Sequence, residues 1–308
     1  MNNKFKGYIA GAVAAATYGM NPLFALPLYA NGMDANSVLF FRYLCAIPIV
    51  GTMLCVRGHS FSINKRELCL LIALGVLFAF SSLSLFESYN HMGAGIASTL
   101  LFIYPILVAL IMKMFFLEPL SKLTTMCIFM SVVGIALLYR NANGDTLSVI
   151  GSMLVFASAL TYAIYIVSTN RSCIKEMPTL KITFYVLLFG WTVFATRTLI
   201  YGEVITPHNV TMWSNVLALA LFPTAISLLC TTRAINLIGA TPTAILGALE
   251  PVTAVFFGIV VFGETLSLRE VFGLVLIILA VSFVVAGGLI GQYLTRIRKM
   301  FPRVLRNK

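Results

Sequence analysis

Long runs of apolar residues alternate along this chain with short polar and basic clusters. They show neither the strict alternation of a half-buried strand nor the stripe of a soluble surface helix. Most runs approach the roughly 20 residues that an α-helix needs to cross a hydrocarbon core about 30 Å thick. Ten spans are predicted, over residues 7–30, 37–56, 68–90, 93–116, 122–139, 147–169, 181–201, 212–235, 239–262 and 269–290. Lys4 and Lys6 ahead of an apolar run containing Ala14, Ala15 and Ala16 imitate a signal peptide. That run is too long for a typical signal core, so it counts as the first span.

Composition agrees with a bilayer as solvent. Of 308 residues, 60% are hydrophobic and only 10% charged, with a mean hydropathy of +0.97, whereas globular chains carry about 25% charge. Soluble, disulfide-stapled and collagenous classes are excluded. Ten-residue alternating segments of an outer-membrane barrel are lacking, so the spanning elements are expected to be helices that satisfy their own backbone groups. Cys45, Cys55, Cys69, Cys127 and Cys230 sit in or beside apolar runs and Cys173 in a polar loop. Without CxxC spacing they read as small hydrophobes, and neither a metal nor another cofactor is expected.

The net charge of +11 is dispersed among the spans and gathered mainly in the tail Arg296–Lys308. This fits a cytoplasmic membrane surface rather than nucleic acid. With the N-terminus inside, 15 of the 21 Lys and Arg fall on inner segments and only Arg140 and Arg269 on outer loops. Arg42, Lys113, Arg197 and Arg233 lie within spans. The positive-inside rule therefore predicts two cytoplasmic termini, with the tail resting on anionic lipid or left solvated.

The chain also repeats itself. At an offset of 146, Tyr89–Ser121 aligns without gaps on Ile235–Ser267 with 9 identities in 33 positions, among them Asn90/Asn236, Gly93/Gly239, Pro105/Pro251 and Glu118/Glu264. At an offset of 144, Thr17-Tyr18 falls on Thr161-Tyr162. Each unit then holds five spans, and an odd number sends the second copy in from the opposite face. The expected fold is an all-α integral membrane protein of ten helices in two inverted five-helix repeats, residues 1–140 and 147–290, followed by a basic cytoplasmic tail, 291–308. Inverted repeats recur in secondary transporters, where two similar halves open a midplane site to alternate sides.

Several segments resemble one family. Tyr18-Gly19-Met20-Asn21-Pro22 looks like the aromatic-Gly-x-Asn motif of the EamA family of the drug/metabolite transporter superfamily, and Arg42-Tyr43 like its Arg-aromatic pair. Thr161-Tyr162-Ala163-Ile164-Tyr165 resembles the opening of its second repeat. Glu250-Pro251-Val252 with Gly263-Glu264-Thr265-Leu266-Ser267 is the most specific match, and Tyr104-Pro105 with Glu118-Pro119-Leu120-Ser121 is its first-repeat counterpart. The resemblance covers about residues 7–288 and implies a ten-helix carrier of a small metabolite, often an exporter, in a bacterial inner membrane. The chain departs from the pattern with Tyr18 where Trp is usual and Pro119 where a basic or polar residue commonly follows the Glu.

Ionisable residues at membrane depth are costly and so become functional candidates. Glu250 is the twelfth residue of a 24-residue span, with no Lys or Arg predicted at its depth. It is expected to line a central cavity, either titrating during transport or binding a substrate amine or hydroxyl; a protonated Glu locking spans together is the structural alternative. Tyr104 is its repeat equivalent, and Tyr18 and Tyr162 lie near mid-depth. Phenols offer a broad apolar face with one hydroxyl, and Thr17, Asn21, Thr161 and Tyr165 add hydrogen-bonding capacity. Each tyrosine reads equally well as core packing.

Arg42, about 8 Å below the start of its span at 1.5 Å per residue, and Glu87 near the same level are expected to pair as an outer salt bridge or gate. Arg233, the offset-146 equivalent of Glu87, is placed near the inner face. Lys113 and Arg197 read as snorkelling side chains, and Glu118 and Glu264 as loop tethers. Gly93, Gly239, Pro105 and Pro251 are candidate hinges, because glycine frees the backbone and proline removes a helix hydrogen bond.

Other functions are less well supported. An enzyme would need clustered nucleophile, base or metal ligands, but His59, His91 and His208 are scattered in loops or span ends, with no DxxD or HxxxH spacing. A channel or a non-transporting membrane scaffold shares the predicted topology. The partners implied for a carrier are membrane lipid, a small-molecule solute and a coupling proton.

Overall fold

The computed structural model describes residues 3–92, 97, 100–117, 121–138, 148–201, 204–262, 268–269 and 271–283. Among these residues the fold is entirely helical. The order is α1 (Asn3–Tyr18), α2 (Asn21–Ala30), α3 (Ala35–Val56), α4 (Lys65–Ser88), α5 (Tyr104–Phe116), α6 (Lys122–Leu138), α7 (Val149–Arg171) and α8 (Thr179–Tyr201). There follow α9 (Val210–Leu219), a π-helical segment Ala220–Ile226, α10 (Ser227–Ile238), α11 (Ala240–Leu246), α12 (Leu249–Phe262) and α13 (Val271–Phe283).

Among the described residues, six helical stretches are long and apolar enough to cross a membrane: Asn3–Ala30, Ala35–Val56, Lys65–Ser88, Val149–Arg171, Thr179–Ile200 and Val210–Ile238. Shorter apolar helices cover Tyr104–Phe116, Lys122–Leu137 and Val271–Phe283. The predicted hinge Gly93, together with Glu118, Arg140, Glu264 and the basic tail, lies outside the described residues.

Polar residues at the ends of the apolar runs start several helices. Asp34 accepts from the backbone N–H groups of Asn36 and Ser37, opening α3. The Asn64 N–H donates to the Glu67 carboxylate at 2.8 Å, opening α4. Ser148 and Asn209 accept from Gly151 and Met212, opening α7 and α9. Each side chain satisfies donors that a first helical turn leaves without partners.

Large apolar side chains are exposed as well as buried, and several polar ones are buried. Leu110, Met114, Phe115, Phe129, Val149 and Met153 are exposed, while Asn21, Arg42, Ser81, Ser158, Thr224 and Thr232 are buried. Apolar side chains fill the core and also cover the surface, and the polar residues drawn inside sit among them, as suits lipid as the surrounding medium.

Small polar residues join the buried faces. Ser81 on α4 donates to the Ser158 carbonyl on α7 at 3.0 Å, and Ser158 returns a bond to the Ser81 carbonyl at 2.8 Å. Ser227 on α10 donates to the Ala14 carbonyl on α1 at 3.0 Å. Ser227 lies 146 residues after Ser81 and Ser158 lies 144 after Ala14, so these contacts occupy matching positions of the two sequence repeats.

Four runs read as continuous spans are interrupted, each next to a proline that breaks the regular backbone bonding, among them 93–116, which turns at Phe102-Ile103 before Pro105. The first span turns at Gly19-Met20 before Pro22, and 212–235 widens into a π-helical stretch containing Pro223. The predicted span 239–262 turns at Gly247-Ala248 before Pro251. Gly239 joins α10 to α11 at φ +91°, a conformation that glycine adopts without the steric penalty of a side chain.

Candidate functional site

The break between α1 and α2 packs directly on the break between α11 and α12. A Cβ on Gly19 would lie 2.4 Å from the Glu250 carbonyl oxygen, so only glycine allows this approach without movement of backbone. Two short helices consequently begin beside each other, α2 at Asn21-Pro22 and α12 at Leu249-Glu250-Pro251. A third, α5, begins at Tyr104-Pro105 after a turn at Phe102-Ile103. In all three, a polar residue immediately precedes the proline.

Around this junction the aromatic side chains form one cluster. Tyr18 and Tyr162 stack with centroids 6.3 Å apart and planes 8° from parallel. Tyr104 meets Tyr162 edge to face at 5.0 Å, and Tyr165 lies parallel to Tyr162 with centroids 6.1 Å apart. Phe78 closes the apolar wall against Tyr162 and Tyr165. The Tyr104 hydroxyl donates to the Glu250 carboxylate and lies where a Cβ on Gly247 would be. Thr231 is the hydrogen-bond partner of Tyr162.

Glu250 borders two small cavities. One, of about 30 Å³, is lined by Tyr18, Gly19, Asn21, Pro22, Leu85, Tyr89, Leu101, Glu250 and Pro251. The other, of about 10 Å³, touches Gly11, Ala14, Ala15, Tyr104, Tyr162, Ile166, Thr231, Thr243, Gly247 and Glu250. They therefore adjoin different places along α1, its end with the following turn at residues 18–19 and its middle at residues 11–15. They have room for about one to three water molecules, less than a metabolite fills. The chemistry on offer is one carboxylate, several phenols and an amide in a mostly apolar setting, suited to holding a small solute with a few polar groups.

The structure thus gathers Glu250, Tyr104, Tyr18 and Tyr162, with Tyr165 in the next layer and Asn21 at the larger cavity. Thr161 points elsewhere, its hydroxyl donating to the Ala157 and Ser158 carbonyls of its own helix. The Tyr165 hydroxyl is buried near Thr169 and Thr232, whose own hydroxyls donate to the Tyr165 and Leu228 carbonyls. Pro105 is buried in the first turn of α5, and Pro251 lines the larger cavity.

The predicted pairing of Arg42 with Glu87 does not form. Arg42 is fully buried and donates through Nη1 to Asn21 Oδ1 at 2.9 Å, through Nη2 to the Pro223 carbonyl at 3.1 Å and through Nε to Thr224 Oγ1. Its guanidinium also lies over the Phe86 ring at 5.4 Å. The interrupted helices supply polar groups deep in the protein, and Arg42 turns toward them. Glu87 instead pairs with Arg197 at 3.4 Å, both partly exposed. Arg197, read from sequence as a snorkelling side chain, is therefore the basic partner at that position. Arg233 is exposed on α10.

Sequence reasoning missed Thr231 as a cavity residue and Thr224 as a partner of Arg42. A threonine in an apolar helix carries no positional signal of its own, because it commonly bonds back to its helix backbone. The nearby Pro223 did mark the irregular stretch that presents Thr224.

Comparison with known proteins accounts for nearly the whole chain. The family described as EamA-like transporter matches residues 5–140 and 149–286. A protein of Synechocystis sp. described as uncharacterized transporter sll1319 is 30% identical over 232 residues, covering 71% of this chain and 67% of that protein. Uncharacterized transporter YcbK of Bacillus subtilis is 23% identical over 262 residues, covering 80% and 81%. An uncharacterized transporter of Archaeoglobus fulgidus is 25% identical over 246 residues, covering 79% and 83%. A solved crystal structure superposes with a TM-score of 0.77 at 16% identity over 90% of this chain and 95% of that one, a likeness of fold alone. With two family matches on a polytopic apolar helical fold, the chain belongs to the EamA-like transporter family and is a multi-pass membrane transporter.

Proposed function

We propose that this transporter is a secondary carrier that exports a small metabolite across a bacterial cytoplasmic membrane by alternating access. In this reading, residues 1–140 and 147–290 form five spans each in opposed topology. Both termini face the cytoplasm and the tail 291–308 rests on anionic lipid. The observation that carries it is the meeting of repeat-equivalent residues. Tyr18 stacks on its equivalent Tyr162, and Tyr104 hydrogen-bonds its equivalent Glu250.

A site built from equivalent residues of two units lies where those units face one another, which is where a rocking pair of halves alternately exposes a solute. The two small cavities, one beside the end of α1 and one along its middle, support a passage open to one side at a time. In the proposed cycle Glu250 accepts the solute's amine or hydroxyl and exchanges a coupling proton, while Tyr104, Tyr18 and Tyr162 form the walls. In this reading Glu87, paired with Arg197 at 3.4 Å, tethers one end of the passage.

The test begins with a thermal-shift screen of metabolites on purified protein. Counterflow of each stabilising compound is then measured in proteoliposomes with wild type and Glu250→Gln. Saturable exchange that is lost or made pH-insensitive in the variant is the expected result. Exchange unchanged in the variant assigns Glu250 to structure, and binding without exchange turns the reading toward a channel or scaffold.

A further inference from the structure

Asn21 has its two ends in different environments. Its Oδ1 accepts from Arg42, and since a guanidinium can only donate, this bond fixes which end of the amide faces which way. The Nδ2 end is buried and has no hydrogen-bond partner among the described residues, although Asn21 is only 2% exposed and lines the larger cavity. A buried amide donor is costly to leave unbonded. Asn21 is also the first residue of the ten-residue α2, whose N-cap Met20 makes no side-chain cap bond and whose next residue, Pro22, has no N–H. The positive end of that helix favours an electron-rich group at the same place. Arg42 is itself anchored by Pro223 and Thr224, so the amide is held in position from the irregular stretch of another span.

We infer that Arg42 is a positioning residue for the Asn21 amide, and that Nδ2 takes a carbonyl or carboxylate oxygen of the solute while Glu250 takes its amine. This rests on the carrier reading of the Glu250 cavity and narrows its substrate class to solutes carrying a donor and an acceptor close together. Tyr18, Leu85 and Leu101 provide apolar wall for the remainder. An amine alone leaves the Asn21 donor unbonded, and a carbonyl alone leaves Glu250 without a cation.

The test measures binding to the full-length detergent-solubilised protein, using probes that share a phenyl group. 2-Phenylethylamine carries the amine only, 3-phenylpropanamide the amide only, and phenylalaninamide and phenylalanine carry both functions. Wild type is expected to bind phenylalaninamide or phenylalanine about tenfold more tightly than 2-phenylethylamine, the worth of one added hydrogen bond to a buried donor. Their relative affinities show whether the acceptor is a neutral carbonyl or a carboxylate. Asn21→Asp keeps an acceptor for Arg42 but removes the NH2 group, so it should abolish the tenfold preference. Arg42→Lys should reduce the preference.

Equal wild-type affinity for the amine and the two-function probes overturns the inference without any variant. So does a preference that survives Asn21→Asp, or failure of all four probes to bind. If Glu250→Gln leaves amine binding unchanged while Asn21→Asp removes the preference, the assignment of Glu250 fails and that of Asn21 stands.

Discussion

Tyr18 and Tyr162 stand 144 residues apart and lie face to face, with ring centroids 6.3 Å apart and planes 8° from parallel. Tyr162 also contacts Tyr104, Tyr165 and Phe78, so one ring joins α1, α4, α5 and α7. Replacing Tyr162 by Ala should lower stability by about 3–5 kcal/mol, the range for deleting a buried aromatic ring. Tyr162→Phe keeps the ring and should cost about 1 kcal/mol through loss of its bond with Thr231. Thermal unfolding in detergent separates the two, and equal losses would show that the hydroxyl rather than the ring carries the contact.

Arg42 should prove important to packing through neutral partners alone among the described residues. In Arg42→Met, Asn21 Oδ1 and the Pro223 carbonyl lose their donor, and the expected cost is about 1–3 kcal/mol. Arg42→Lys should recover part of it, because an ammonium can replace some but not all of the directed bonds. Stability measured across the three proteins checks the order. A methionine variant as stable as wild type would mean that the neutral acceptors find other donors.

The charge-swap experiment distinguishes the sequence expectation from the structure. Arg42→Glu combined with Glu87→Arg should not recover what either change loses, since Arg42 faces Asn21 and Thr224. Glu87→Arg combined with Arg197→Glu should recover the loss of its single variants. That gain should be at most about 1 kcal/mol, because both side chains remain about a third exposed. Double-mutant cycles on unfolding give both couplings directly.

The boundaries of the apolar runs were legible because each long helix fills a run and starts beside residues such as Asp34, Asn64, Ser148 or Asn209. The proximity of Glu250, Tyr104, Tyr18 and Tyr162 was anticipated from repeat offsets and depth, neither of which requires side-chain directions. Depth also put Arg42 and Glu87 at one level, but could not tell which face of α3 carries Arg42. Rotation about a helix axis is weakly specified when apolar residues occupy all faces. The π-helical turn that redirects Arg42 depends on local backbone bonding around Pro223, which a hydropathy pattern does not encode.

The serine contacts offer a local test of helix neighbours. Ser81→Ala and Ser158→Ala should be coupled by about 0.6 kcal/mol, the typical worth of a polar contact between membrane helices. Ser81→Ala and Ser227→Ala should be additive, because their bonds lie in the separate pairs α4–α7 and α1–α10. Coupling in the second pair with none in the first would contradict this arrangement of spans.

Gly19 provides the most direct test of the junction between the two helix breaks. A methyl group at position 19 meets backbone, the Glu250 carbonyl oxygen at 2.4 Å, and backbone cannot turn aside as a side-chain tip can. Gly19→Ala should therefore separate α1 from α12, with a cost of about 1–3 kcal/mol. At Gly247 the overlapping atom is the Tyr104 hydroxyl. Gly247→Ala should move that side chain away from Glu250, affecting transport more than stability. Measuring unfolding and counterflow for both variants distinguishes the two effects. If Gly19→Ala is as stable and active as wild type, the breaks have room to part, and their close packing is not required for the cycle.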